Sequence, residues 1–226
     1  MADVIDAGPR PSLPVEGGGT FPVRRVFCVG RNYAEHQKEM GHSGREAPFF
    51  FAKCAEALTF DSTVPYPPAT RDLHHEVELV VAIGKAGSDI PAAGTHEHIW
   101  GYAVGVDLTR RDVQAEAKKL ARPWYLSKSW VGAAPIGPLL PVAKVGHPRR
   151  GRIMLGVNGK TRQDSDLAEM IWSVDEIIAA LSAFDRLLPG DLIFTGTPAG
   201  VGAIVPGDKV EASVEGVGRM DFTLGR

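Results

Sequence analysis

The sequence predicts a sheet-rich α+β domain with a few short helices, and three observations support this class. Glycine (26) and proline (17) together make up about a fifth of the 226 residues, which is typical of a chain with many turns. The apolar runs are short and bounded by turn residues, a pattern that favours strands. Only two segments combine a helical apolar pattern with a capping signal at their start. A helical bundle is therefore disfavoured.

The clearest predicted strand is the run HEVELVVAIG at residues 75–84. Its residues alternate between two faces, so Glu76 and Glu78 lie on the face opposite Val77 and Leu79. The pair Asn158-Gly159 favours a tight turn and joins two later runs into a hairpin. In chain order, the predicted strands cover residues 25–29, 49–52, 75–84, 99–106, 153–157, 160–163, 192–195, 209–214 and 218–224.

Two of the three predicted helices lie in the first 120 residues. A short helix covers residues 33–40 and ends at Gly41. A longer one runs from Thr109 to about Leu120, with Thr109 and Asp112 as its capping signal. Its charged side is predicted to face solvent and consists of Glu116, Lys118 and Lys119.

The third predicted helix begins at Ser173, because Glu176 follows three positions later and completes a capping box. It ends before Pro189-Gly190. Its predicted apolar face consists of Ile177, Ile178, Leu181 and Phe184.

Composition disfavours several classes of protein. With 25 basic and 27 acidic residues the net charge is −2, so no basic excess is available to neutralise a nucleic-acid backbone. No run reaches the roughly 18 apolar residues of a membrane helix, and the start of the chain lacks a signal-peptide pattern. Cys28 and Cys54 lie in apolar stretches and are expected to be reduced thiols of a cytoplasmic protein. Residues 1–22 are expected to be a flexible leader, and residues 23–226 a single domain.

Three acidic residues are the first unusual feature. Glu76 and Glu78 lie on one side of a strand, about 6.6 Å apart along it, and would repel each other by about 2–3 kcal/mol at an effective dielectric constant near 20. Asp107 follows directly after the strand at residues 99–106. Three carboxylates without clustered Cys or His suggest Mg²⁺, with Mn²⁺ or Ca²⁺ next. The alternative is a solvated edge strand whose charges prevent aggregation.

Five blocks of sequence, in order, carry a resemblance to a known family: GRNYAEHQKEM (30–40), HHEVELVVAIGK (74–85), GVDLTRRDVQ (105–114), PWYLSKSW (123–130) and LIFTGTPAGVG (192–202). The chain resembles the fumarylacetoacetate hydrolase family, and in particular its short single-domain acylpyruvases and fumarylpyruvate hydrolases. The resemblance implies a mixed β-roll, a Mg²⁺ or Mn²⁺ ion, a homodimer, and hydrolysis or decarboxylation of 2-oxo acids.

The resemblance also implies roles for individual residues. The metal ligands would be Glu76, Glu78 and Asp107. A catalytic dyad falls on His36 and Glu39, and the residues that support the developing charge fall on Lys128, Arg111 and Gln114. Arg31 and Thr197 match positions near the substrate. His74 and His75, which adjoin Glu76, are expected to be packed or supporting residues rather than ligands.

The expected activity is divalent-metal-dependent cleavage of an acylpyruvate, with fumarylpyruvate as the favoured substrate and fumarate and pyruvate as products, in aromatic catabolism. The second carboxylate of fumarylpyruvate would need a cation such as Arg45 or Lys53 at the far end of the pocket. Residues 33–47 are predicted to form a lid over the substrate. The alternatives are an oxaloacetate decarboxylase, a 2-hydroxydienedioate isomerase, and a metal-binding or assembly domain without chemistry.

Overall fold

The computed structural model describes residues 4–6, 8–39 and 45–226, without the side chains of residues 37–39. The helices are α1 (Ala34–Glu39), α2 (Arg111–Lys119), α3 (Tyr125–Lys128), α4 (Val142–Val145) and α5 (Val174–Phe184). The strands are β1 (Ser12–Pro14), β2 (Thr20–Pro22), β3 (Arg25–Gly30), β4 (Phe49–Lys53), β5 (Leu58–Thr59), β6 (Thr63–Val64), β7 (Leu73–His75), β8 (Val77–Ile83), β9 (Ile99–Val106), β10 (Thr109–Arg110), β11 (Ala134–Pro135), β12 (Leu140–Pro141), β13 (Arg152–Val157), β14 (Lys160–Asp166), β15 (Asp191–Phe194), β16 (Gly202–Ile204), β17 (Lys209–Val214) and β18 (Gly218–Leu224). This sheet-rich arrangement with short helices confirms the predicted class.

Two large sheets form the body of the fold. The first has six strands in the order β12-β9-β8-β15-β3-β4, and only the pair β15–β3 is parallel. The second has five strands in the order β14-β13-β17-β18-β6, with β18–β6 parallel. The predicted hairpin is confirmed, because Asn158 and Gly159 adopt φ angles of 53° and 74° between β13 and β14, as a tight primed turn requires.

Strand β8 is buried on both faces and separates two apolar clusters. Leu79 and Val81 belong to the cluster shared with Ile153 and Phe222 of the second sheet. Val80 and Ala82, on the opposite face, pack in a cluster that includes Cys28 and Phe194. A strand covered on both sides explains why its apolar run is nearly continuous. Glu78 shares the face of Val80 and is therefore held inside the molecule rather than at a solvated edge.

The first residues correct one prediction. Residues 12–22 do not form a loose leader, because β1 and β2 pair as an antiparallel hairpin. Leu13 is fully buried, Phe21 is nearly so, and the Glu16 N–H donates to the Leu139 carbonyl at 2.9 Å. The packed structure therefore begins at about Ser12, earlier than the predicted Val23.

The two longer helices test the capping predictions. At α5 the capping box is confirmed: the Ser173 hydroxyl accepts a hydrogen bond from the Glu176 N–H, and the Glu176 carboxylate accepts from the Ser173 N–H. Phe184, however, is 83% exposed and does not belong to the buried face. The cap predicted for α2 is wrong, because Thr109 lies in β10 and Asp112 accepts from Thr70 and Arg71. No helix in the described part of the chain combines the length and apolar character needed to span a membrane.

Candidate active site

Three carboxylates converge where β7, β8 and β9 meet. Glu76 lies between β7 and β8, Glu78 lies in β8, and Asp107 follows β9 directly. Antiparallel pairing places Val77 opposite Val106, and the Asp107 N–H donates to the Glu76 carbonyl at 2.8 Å. One carboxylate oxygen from each of the three acids lies within 4.8 Å of the others, and all three residues are buried. The predicted convergence is therefore present in the structure.

Buried cations surround this cluster. The Lys128 ammonium donates to Glu76 Oε2, Asp107 Oδ2 and Thr109 Oγ1, each at 2.7 Å. Arg111 Nη2 donates to Glu76 Oε1 at 2.5 Å. Burial alone would raise the pKa of Glu76, but Lys128 and then Arg111 hold it well below its usual value. Burial would likewise lower the pKa of Lys128, yet Asp107 and Glu76 raise it, so Lys128 stays protonated.

Glu78 has a different environment from the other two acids. Its Oε2 accepts a hydrogen bond from the Gly196 N–H at 2.7 Å. Burial, followed by the charges of Asp107 and Glu76, raises its pKa well above the usual value. A further positive charge would relieve this repulsion, and hard carboxylate oxygens are what Mg²⁺ and Mn²⁺ prefer. The three acids therefore fit a divalent cation.

The turn after β15 supplies the Gly196 N–H and is anchored by Asn32. Asn32 Nδ2 donates to the Thr195 carbonyl at 2.8 Å and to the Trp172 carbonyl at 2.9 Å. Gly196 has a φ of 94°, and an added Cβ would lie 2.6 Å from that of Asn32. Only glycine fits this position, because a side chain would be strained and would clash. The turn therefore presents the N–H of Gly196 and the side chain of Thr197 to the site.

Gln163 lies in β14 of the second sheet and forms hydrogen bonds with residues on two sides of the site. The sequence did not identify it as a functional residue. Its Oε1 accepts from His75 Nδ1 and from the Val77 N–H, both at 3.0 Å. Its Nε2 donates to Thr197 Oγ1 at 2.8 Å and to the Pro198 carbonyl at 2.9 Å. Gln163 thus links the residues on either side of Glu76 to the turn that carries Thr197. The sequence shows it only as one residue of a hairpin strand.

The two adjacent histidines have supporting positions. His75 is buried, and burial lowers its pKa to about 4. His74 Nε2 lies 2.8 Å from Asp72 Oδ1, and His74 Nδ1 accepts from Arg111 Nε at 3.3 Å. Burial and then the charge of Arg111 lower the pKa of His74. Both rings pack beside the cluster rather than belonging to it.

A pocket opens above the carboxylates of Glu76 and Glu78, which both line it. His36 on α1 is 6% exposed and lines this pocket, as do Arg31 and Thr197. Arg31 has a φ of 58°, a left-handed conformation that is uncommon for a residue with a side chain. The Glu39 side chain and residues 40–44 of the predicted lid lie outside the described residues.

Helix α2 contributes a stripe of side chains to the pocket wall. Arg111 donates to Gln114 Oε1 at 2.7 Å, and Lys118 follows one turn later. The prediction that Lys118 faces solvent is wrong: it is half-buried, and its ammonium group lies 5.0 Å from the centre of the Trp124 ring. The helical period of the sequence could have indicated this, because Arg111, Gln114 and Lys118 are three and four residues apart and therefore share one face of the helix.

The two cations expected at the far end of the pocket lie elsewhere. Lys53 is buried, with its ammonium 2.7 Å from Asp107 Oδ1 and bonded to the carbonyls of Leu108, Lys128 and Ala133. It therefore neutralises the acidic cluster from behind. Arg45 pairs with Glu176 at 2.5 Å and stacks on Trp172 at the start of α5. Neither residue can serve as the expected distal cation in this arrangement.

Comparisons with known proteins place this site in context. The family model described as Fumarylacetoacetate (FAA) hydrolase C-terminal matches residues 25–224. The solved structure of fumarylpyruvate hydrolase from Pseudomonas aeruginosa, in complex with Mn²⁺ and pyruvate, matches with a TM-score of 0.96 and 47% identity, covering 99% of each chain.

Two relatives identified by sequence have different activities in their names. Fumarylpyruvate hydrolase of Ralstonia sp is 45% identical over 181 residues, which cover 80% of this chain and 94% of that protein. The mitochondrial oxaloacetate tautomerase FAHD1 of Mus musculus is 43% identical over 204 residues, 90% of this chain and 92% of that protein. Because the family model spans nearly the whole chain and these relatives match most of it, the chain belongs to the fumarylacetoacetate hydrolase family.

Proposed function

We propose that this protein is a divalent-metal-dependent hydrolase that cleaves the carbon–carbon bond of acylpyruvates, with fumarylpyruvate as substrate and fumarate and pyruvate as products. The observation that carries the proposal is the buried cluster of Glu76, Glu78 and Asp107 beneath a pocket that His36 lines. Fumarylpyruvate hydrolases of Pseudomonas aeruginosa and Ralstonia sp, at 47% and 45% identity, support the choice of substrate.

The metal would be held by Glu76, Glu78 and Asp107, and we propose Mg²⁺ or Mn²⁺. The Mn²⁺ complex of the Pseudomonas aeruginosa enzyme supports a divalent ion. When bound, such an ion supplies Lewis-acid stabilisation of the negative oxygen that develops on a 2-oxo acid.

The chain's own residues would bind the substrate and move the protons. The Arg111 side chain donates to Gln114 Oε1, which leaves the Gln114 amide protons for a substrate oxygen. Thr197 Oγ1 accepts from Gln163, so its own proton is available to donate. Lys128 is kept protonated by its two acidic neighbours and already donates its three N–H groups to Glu76, Asp107 and Thr109. It would therefore stabilise an oxyanion through its positive charge rather than through a further hydrogen bond.

His36 would act as the general base that takes a proton from the attacking water at an imidazole nitrogen. Glu39, three residues later on α1, would orient that imidazole, since side chains three apart on a helix are neighbours. Arg31, which also lines the pocket, would bind a substrate oxygen. Hydrolysis needs this proton transfer, whereas enolisation or decarboxylation of a 2-oxo acid needs no attacking water.

A reaction of oxaloacetate is the second candidate. The Mus musculus oxaloacetate tautomerase, 43% identical over 90% of this chain, favours it. Decarboxylation and keto–enol tautomerisation of oxaloacetate, like isomerisation of a 2-hydroxydienedioate, share the requirement for a stabilised enolate but not for an activated water.

Parallel assays separate these activities. We expect the metal-loaded protein to remove the diketo absorbance of fumarylpyruvate and acetylpyruvate, and to lose that activity in EDTA. His36→Ala should lower hydrolysis by about 100- to 10,000-fold while divalent-metal binding, measured by calorimetry, persists. Full hydrolysis by this variant, or turnover of oxaloacetate alone by the unchanged protein, would contradict the proposal.

We also propose that the protein is a homodimer of the cytoplasm that acts in the breakdown of aromatic compounds. Light scattering of the purified protein tests the oligomeric state, and a monomeric mass would contradict it.

A further inference from the structure

Lys118 is a cation of the pocket wall that forms no ion pair with Glu76, Glu78 or Asp107. Lys53, Arg111 and Lys128 all form ion pairs with Glu76 or Asp107. Within the described part of the chain, by contrast, no carboxylate lies within ion-pairing distance of Lys118. Its stem is half-buried in the pocket wall, and the Trp124 ring lies 5.0 Å from its ammonium group. The cation–π contact holds the charge in place at the pocket wall, where none of the described carboxylates forms an ion pair with it.

Three positively charged side chains lie near one another in this part of the pocket. Burial, followed by the charges of Arg111 and Arg31, lowers the pKa of Lys118 to about 8. Two positive neighbours make it costly to keep a third cation there, and a bound anion would relieve that repulsion. The surroundings of Lys118 therefore favour a negative group of the substrate.

The spacing along α2 indicates which group this is. Arg111 contacts Glu76 at the acidic cluster, and Lys118 lies seven residues further, which corresponds to about 10 Å along the helix axis. This rise separates the two backbone positions. With the reach of both side chains it is compatible with a linear acid that has a carboxylate at each end of a seven-carbon chain. One carboxylate would lie at the acidic cluster with its 2-oxo group, and the other would reach Lys118.

We propose that Lys118 is a specificity-determining residue that binds the distal carboxylate of a 2,4-dioxo dicarboxylate. The site therefore prefers dianionic acylpyruvates to monoanionic ones. This inference rests on the proposed function for the reaction, but the recognition of a second carboxylate can be tested without turnover.

The first experiment measures binding by calorimetry on the Mn²⁺-loaded protein. The ligands are 2-oxoheptanedioate and 2-oxoheptanoate, which differ only in the distal carboxylate and lack the 4-oxo group needed for cleavage. Lys118→Met should weaken binding of the dicarboxylate by about 10- to 100-fold and leave that of the monocarboxylate unchanged. Lys118→Arg should retain most of the preference. Lys119→Met, an exposed neighbour on α2, is the matched control.

The second experiment measures steady-state kinetics with fumarylpyruvate and acetylpyruvate. In Lys118→Met the KM for fumarylpyruvate should rise by about 10- to 100-fold, with little change for acetylpyruvate. Equal losses for both ligands or both substrates, or no loss for either, would overturn the assignment. If the unchanged protein cleaves neither acylpyruvate, the proposed hydrolase fails, whereas the calorimetric pair still decides the role of Lys118.

Discussion

Removing the buried Lys128 ammonium tests how the acidic cluster is held together. In Lys128→Met, Glu76 and Asp107 would each lose a cation 2.7 Å away. At an effective dielectric constant of 20 each contact has a gross Coulomb attraction of about 6 kcal/mol, much of which is offset by desolvation of the buried charges. The net destabilisation on removing one partner of a buried pair is about 3–5 kcal/mol. At about 2–4 °C per kcal/mol for a chain of this size, Tm should fall by about 6–20 °C.

The assay is urea unfolding followed by tryptophan fluorescence, with EDTA and with saturating Mg²⁺. Because a divalent ion would restore positive charge among the three acids, the deficit in unfolding free energy should be smaller in Mg²⁺ than in EDTA. A ligand at 100 times its Kd stabilises any protein that binds it by about 2.7 kcal/mol. The deficit therefore shrinks only to the extent that the variant binds Mg²⁺ more tightly than the parent protein. Lys119→Met serves as the exposed control. A variant within about 1 kcal/mol of the parent protein in EDTA would refute the idea that Lys128 compensates buried charge.

Three further predictions concern separate parts of the molecule. Asp107→Asn should lower divalent-metal affinity by more than about 10-fold, and unchanged calorimetric affinity would show that the ligand set is wrong. Ser173→Ala should cost about 1 kcal/mol of unfolding free energy without altering the hydrolysis rate; equal urea midpoints would count against the cap. Because the pKa of Lys118 is about 8, its charge is present below pH 8 and lost above it. The kcat/KM for fumarylpyruvate should therefore fall above pH 8, through loss of distal-carboxylate binding, and a profile identical to that of Lys118→Arg would contradict this.

Features that depend on neighbouring residues could be predicted from the sequence. The alternation in β8, the Asn158-Gly159 turn and the Ser173 capping box each arise from local geometry, and the structure confirms all three. The α2 cap failed because Thr109 is paired in β10. Phe184 failed because it is 83% exposed at the end of α5, whereas Leu181 of the same helix is buried. In both cases the tertiary context overrode a local signal.

The sequence by itself determined the strand pattern, the acidic residues at the ends of neighbouring strands and, through ordered motifs, the family. Only the tertiary structure decided which cation serves which acid. Lys53 was expected at the distal end of the pocket but pairs with Asp107. Lys118 was expected to face solvent but lies in the pocket wall. The tertiary structure also revealed the support that Gln163 gives from the second sheet. The physical reason is that charge pairing and burial depend on distances in space between residues far apart in the chain, whereas a local pattern indicates only which face of its own helix or strand a residue occupies.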